Sequence, residues 1–147
     1  MPRTPVPRVV LGADHAGFAL KEAVKAHLIR QGIDVVDCGT FSDEPCDYPP
    51  IMRKAAAAVL EHRCMGIIFG GSGNGEAMAA NKVRGIRAAV VYSDDTARLA
   101  RAHNDANIMS LGGRLTKPAD ALHFTDIFLT TEFEGGRHVR RVQDLEP

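Results

Sequence analysis

Gly66-Ile67-Ile68-Phe69 runs directly into Gly70-Gly71-Ser72-Gly73-Asn74-Gly75-Glu76, a short apolar run followed by a loop with four glycines in six residues and then an apparent helix. A β-branched and aromatic run that ends in turn residues reads as a strand. The same order recurs along the chain: strands are expected at 8–11, 34–36, 66–69, 88–92 and 108–111, and their nearly continuous apolar character implies cover on both faces. Helical patterns fall between them. Residues 18–30 place Leu20, Val24 and Leu28 four apart, 50–61 begins with Pro and is rich in Ala, Ser93-Asp94-Asp95 caps a helix running to about His103, and 118–129 follows the fifth strand. Five β-α units imply an α/β fold with a five-stranded parallel sheet and helices on both sides, because parallel strands need crossover connections. The commonest order for such a sheet is 2-1-3-4-5. Residues 1–7, with three prolines, read as an irregular arm, and 132–147 as a polar C-terminal extension of a single domain covering 1–147.

Composition narrows the partner. Eighteen Lys and Arg balance eighteen Asp and Glu in the 147 residues, and six Phe and two Tyr with no Trp leave little for stacking on bases, so nucleic acid is not expected as a ligand. The longest purely apolar run, 55–60, is far short of the roughly 20 residues of a membrane span. No membrane association is expected, and without a secretory signal the expected location is the cytoplasm. Cys38, Cys46 and Cys64 form no Cys-x-x-Cys pair, so neither a disulfide framework nor a zinc finger is indicated.

In open α/β sheets ligands bind beyond the carboxyl ends of the strands, at the switch point between oppositely wound halves. Three loops are expected there: Gly12-Ala13-Asp14-His15-Ala16-Gly17, Gly70 to Glu76, and Gly112-Gly113-Arg114. Backbone N–H groups of a glycine loop entering a helix can form a cradle for a phosphate or a reaction-generated oxyanion. Dinucleotide binding competes with that reading, because Asp94 and Asp95 follow the loop at about the 20 residues expected of a ribose-binding acid, although Gly71, Gly73 and Gly75 alternate instead of following G-x-G-x-x-G. Glu76 is either a general base beside an oxyanion cradle or simply an acid favoured in a first helical turn. Ser72 does not stand in a G-x-S-x-G elbow, so proton shuttling suits it better than nucleophilic attack. His103 closes a helix that starts at the site edge, which puts it at the far edge of the sheet from its own subunit's crevice. If His103 and Asn104 act in catalysis, a partner chain supplies them. Arg137 and Arg141, four apart, would share one helical face and could grip a phosphate, or belong to a solvated basic tail.

Taken together, Gly12 to Gly17, Asp47-Tyr48-Pro49, Gly70 to Glu76 with Ala79-Ala80-Asn81-Lys82, His103-Asn104, and Glu134-Gly135-Gly136-Arg137-His138 with Arg141 resemble the ribose-5-phosphate isomerase B family, which also includes galactose-6-phosphate isomerase subunits. The resemblance implies a Rossmann-like three-layer sandwich with a C-terminal helical extension. It also implies an aldose–ketose isomerase of sugar phosphates without metal or cofactor, working as a homodimer or a pair of dimers whose active sites lie between subunits. Carried over by position, Asp14 binds sugar hydroxyls, Glu76 moves the proton between C1 and C2, Ser72 assists between O1 and O2, and the amides of Gly71, Gly73, Asn74 and Gly75 hold the enediolate. His103 helps open the furanose ring with Asn104 beside it, and His15, Arg114, Arg137 and Arg141 clamp the phosphate, the last two from the partner. Many members carry a catalytic cysteine where this chain has Gly70; the chain resembles the subgroup in which the glutamate is the base.

Overall fold

A computed structural model describes residues 7–147; most of the arm expected at 1–7 lies outside the described residues. The elements are β1 (Arg8–Ala13), α1 (Phe18–Arg30), β2 (Asp34–Asp37), α2 (Tyr48–His62), β3 (Met65–Gly70), α3 (Asn74–Asn81), β4 (Ala88–Val90), α4 (Asp94–Ala102), β5 (Ile108–Gly112), α5 (Pro118–Thr130) and α6 (His138–Gln143). Local chemistry explains the boundaries. α2 starts two residues before the Pro50 start expected from sequence: Asp47 is extended, and the prolines occupy the first turn, where an amide has no intrahelical partner to lose. Ser93 and Thr96 form a reciprocal capping box at the head of α4.

All strand pairs are parallel, but the lateral order is β2-β1-β3-β5-β4 and not the expected 2-1-3-4-5. Burial explains the exchange. β5 is buried at each of its five positions, whereas β4 is three residues long and only half-buried, so the strand that hides more takes the interior and the shorter one the edge. The one hydroxyl that β5 carries inward is satisfied, since Ser110 Oγ donates to the Gly73 carbonyl at 2.7 Å. Alternation along the strands separates two cores. Val9, Leu11, Ile67, Phe69, Met109 and Leu111 pack against α1, α4 and α5, while Val10, Ile68 and Ile108 face α2 and α3 on the other side.

A buried ion pair fixes the loop that follows β1. Lys21 is fully buried, and its Nζ donates to both carboxylate oxygens of Asp37 at 2.8 and 2.7 Å, with Lys25 Nζ at 3.0 Å. Asp37 also accepts from the Gly39 amide at 2.9 Å, and the Gly39 carbonyl in turn holds the Ala13 amide at 2.7 Å, next to Asp14. Burial by itself would raise the Asp37 pKa, but the hydrogen bonds from Lys21, Gly39 and Lys25 outweigh it and hold the carboxyl below its ordinary value. A lowered carboxyl stabilises the fold above its unfolded pKa and loses that contribution as pH falls through the folded one. Asp37→Asn should therefore be less stable than the parent chain at neutral pH, by a margin that shrinks below about pH 4, as read by urea titration across pH.

Candidate active site

Hydrogen bonds draw the three loops together at the carboxyl ends of β1, β3 and β5. The Asp14 amide donates to the Phe69 carbonyl at 3.2 Å, the Gly113 amide to Gly70 at 2.6 Å and the Arg114 amide to Gly71 at 3.1 Å. With β5 beside β3, the Gly112-Gly113-Arg114 loop touches the glycine loop directly, which the order 2-1-3-4-5 would not allow. Gly73 at the head of α3 has φ +86°, a left-handed conformation that glycine adopts without strain and that turns the chain from strand into helix.

These loops frame a crevice of about 440 Å³ lined by Asp14, Tyr48, Gly71, Ser72, Gly75, Glu76, Arg114 and Leu115. Glu76 is 4% exposed. Burial raises its pKa, the Gly71 and Glu76 backbone amides pull it back, and the nearby Asp14 carboxylate raises it further; the net result lies above the ordinary value. A carboxyl displaced upward in this way is suited to taking and returning a proton. Asp14 is held by the Gly17 amide, which donates to its Oδ1 at 3.0 Å. Ser72 lies exposed at the lip, accepting from the Asn74 amide at 3.2 Å. His15 sits in the same β1 loop, and its Nδ1 accepts the Cys46 amide at 3.1 Å, which leaves the proton of the neutral ring on Nε2.

Glu76 occupies space that only a glycine at 70 leaves open: a Cβ there would overlap its carboxylate Oε1. The cysteines stand apart from the crevice lining. Burial pushes the Cys38 and Cys64 thiols up, away from reactive thiolates. The ribose-binding acid of the dinucleotide reading would have to be Asp94 or Asp95, which open α4 after the edge strand β4, and Asp94 is hydrogen-bonded with His123 at 3.2 Å.

The remaining predicted residues gather elsewhere. His103 and Asn104 follow α4 and precede β5, so they lie where strands begin, opposite the crevice. Arg137 precedes α6 and Arg141 lies on it, and the extension is tied to α4 by the Glu134 amide donating to Ala102 at 3.0 Å. His103 and His138 rings stack with centroids 4.4 Å apart. Tyr48 and Leu115 line the crevice without having been expected there; Tyr48 is the first residue of α2 and reaches the crevice at the end of the irregular segment that follows β2. A larger cavity of about 800 Å³ opens at the other end of the sheet, with Val9, Ile33, Val59 and Leu129 in its wall. It lies at the end of the sheet opposite the three glycine loops.

The sequence profile of the ribose/galactose isomerase family matches residues 9–145. The chain belongs to this family. It is 48% identical over 141 residues to ribose-5-phosphate isomerase B of Mycolicibacterium paratuberculosis, covering 94% of this chain and 89% of that one. A ribose 5-phosphate isomerase from Thermotoga maritima superimposes with a TM-score of 0.93 at 45% identity, covering 95% of this chain and 97% of the other. Ribose-5-phosphate isomerase B from Mycoplasma genitalium, solved with bound ribulose 5-phosphate, superimposes with a TM-score of 0.89 at 38% identity over 94% of this chain and 93% of that one. No helix among the described residues is long and apolar enough to cross a membrane.

Proposed function

We propose that this chain interconverts ribose 5-phosphate and ribulose 5-phosphate by ring opening followed by proton transfer through an enediolate. The observation that carries the mechanism is Glu76, a buried carboxyl with a raised pKa, set among the glycine-loop amides in a crevice shared with Asp14 and Arg114. Taking the C2 proton of the open aldose builds negative charge on oxygen, and preorganised N–H donors lower the cost of that charge. Glu76 removes the C2 proton and returns it to C1, Ser72 passes the hydroxyl proton between O1 and O2, and the amides from Gly71 to Gly75, those of Gly73 and Asn74 among them, hold the oxyanion. Asp14 orients sugar hydroxyls, and Arg114 with the Nε2–H of His15 receives the phosphate. The donors named here offer positive potential to the enediolate, and the family resemblance implies a reaction without metal or cofactor.

His103, Asn104, Arg137 and Arg141 act in the crevice of a neighbouring subunit of a homodimer, or of a pair of dimers, with the 132–147 extension at the contact. Their position at the far end of their own sheet supports this, and so do the exposed apolar side chains near the crevice: Leu115 is 76% and Tyr92 73% exposed. The family match over residues 9–145 supports a single-domain enzyme of sugar-phosphate metabolism, whose expected location is the cytoplasm.

Subunit exchange tests the shared site. Glu76→Gln and His103→Ala should each be inactive alone, and a mixture allowed to exchange subunits should regain activity, because one crevice of each mixed dimer then carries both native groups. A mixture that stays inactive despite demonstrated exchange contradicts the shared site. A panel of four-, five- and six-carbon aldose phosphates should show preference for the five-carbon substrate.

A further inference from the structure

His103 and Asn104 lie on the turn between α4 and β5, and part of what holds this turn is a side chain that the mechanism does not use. A helix ends on carbonyls that none of its own amides can reach. The Ala102 carbonyl accepts the Glu134 amide at 3.0 Å. Those of Asn104 and Asp105 are held by Arg87, from the segment just before β4: its Nε donates to Asn104 at 3.2 Å and to Asp105 at 3.0 Å, and its Nη2 donates to Asp105 at 2.8 Å.

Asp105 has φ +47°, a left-handed conformation that a residue with a Cβ keeps only where its surroundings fix it. Arg101 supports the same residue from α4, its Nη1 donating to Asp105 Oδ1 and to the Ala106 carbonyl, each at 2.8 Å. The Arg87 amide in turn donates to Asn107 Oδ1 at 2.8 Å, which ties the backbone of the clamp to the residue that leads into β5. Because Arg87 grips main-chain carbonyls, it places His103 and Asn104 without occupying either side chain; His103 is 36% exposed and Asn104 is exposed. The planar edge of a guanidinium sets two donors side by side, which a single lysine nitrogen cannot reproduce.

We propose that Arg87 is a positioning residue for the isomerisation: by holding the Asn104 and Asp105 carbonyls it fixes the turn that presents His103 and Asn104 to the neighbouring subunit's crevice. The role rests on the shared site proposed above.

Arg87→Met keeps the aliphatic stem without the donors, and Arg87→Lys keeps the charge without the paired donors. The side chain is 24% exposed, so both variants should fold with a cooperative thermal transition. Each should lower kcat for ribose 5-phosphate about tenfold or more. Subunit mixing then assigns the defect. Exchanged with Glu76→Gln, either Arg87 variant should regain activity, since its native Glu76 then faces an intact turn on the other subunit. Exchanged with His103→Ala it should not, because both crevices of the mixed dimer then meet a defective turn. A chain merely weakened in folding would respond alike to both partners. Near-native turnover in both Arg87 variants, or the same response to both partners when Glu76→Gln and His103→Ala complement each other, overturns the role of Arg87. Failure of that last pair to complement despite demonstrated exchange overturns the shared site, and the role with it.

Discussion

Glu76→Gln should lower kcat for ribose 5-phosphate by about 10²–10⁴-fold and leave KM nearly unchanged, since the substitution removes a proton acceptor and keeps the shape that the substrate meets. Two further readouts separate loss of the base from loss of the fold. Burial and Asp14 raise the Glu76 carboxyl, so the native state favours its neutral form. That contribution to stability is complete below the unfolded pKa and is lost as pH rises through the folded one. The neutral Gln variant should therefore melt higher than the parent chain at neutral pH while being catalytically impaired. In the parent chain the acid limb of kcat/KM should lie above the roughly 4.3 of a free glutamate, and Asp14→Asn, whatever it does to the rate, should move that limb to lower pH. Substantial turnover by Glu76→Gln would remove the central residue from the mechanism.

Gly70→Ala should reduce kcat by about 10²-fold or more, through displacement of Glu76 with no direct loss of a reacting group. The added Cβ would overlap Oε1 of Glu76 and come within 2.6 Å of its Cγ, atoms of a flexible side chain that can swing into the crevice. Folding should survive, because the three atoms nearest the added Cβ all belong to that flexible side chain. Gly17→Ala supplies the contrast: its Cβ would press on the Phe69 backbone at 2.5 Å, where nothing flexible can give way, so that variant should lose stability along with activity. Thermal unfolding and kcat measured on both glycine variants distinguish the two effects. Near-native turnover in Gly70→Ala would show that Glu76 works from another position.

Much of this site is legible in the sequence because strand carboxyl ends are marked by glycine. Asp14, Ser72, Glu76 and Arg114 each follow an apolar run within a few residues, and the structure brings all four to one crevice. The far placement of His103 follows from the length of α4 alone. Strand order is less legible, since Ala88-Ala89-Val90 and Ile108-Met109-Ser110-Leu111 both read as buried strands and only the area each hides in three dimensions decides which lies inside. Tyr48 depends on the path of the loop after β2, which local periodicity does not determine. Gly70 is harder still: its contribution is the space left for another residue's carboxylate, and a missing side chain has meaning only once Glu76 is seen folded into that space.

The most direct test of the account is turnover of ribose 5-phosphate by the purified chain in excess chelator, with ribulose 5-phosphate and incorporation of solvent deuterium measured together. Formation of the ketose at an undiminished rate, with deuterium entering at C1, is the predicted result. No ketose from a folded chain, or activity lost on chelation and restored by metal, would contradict it.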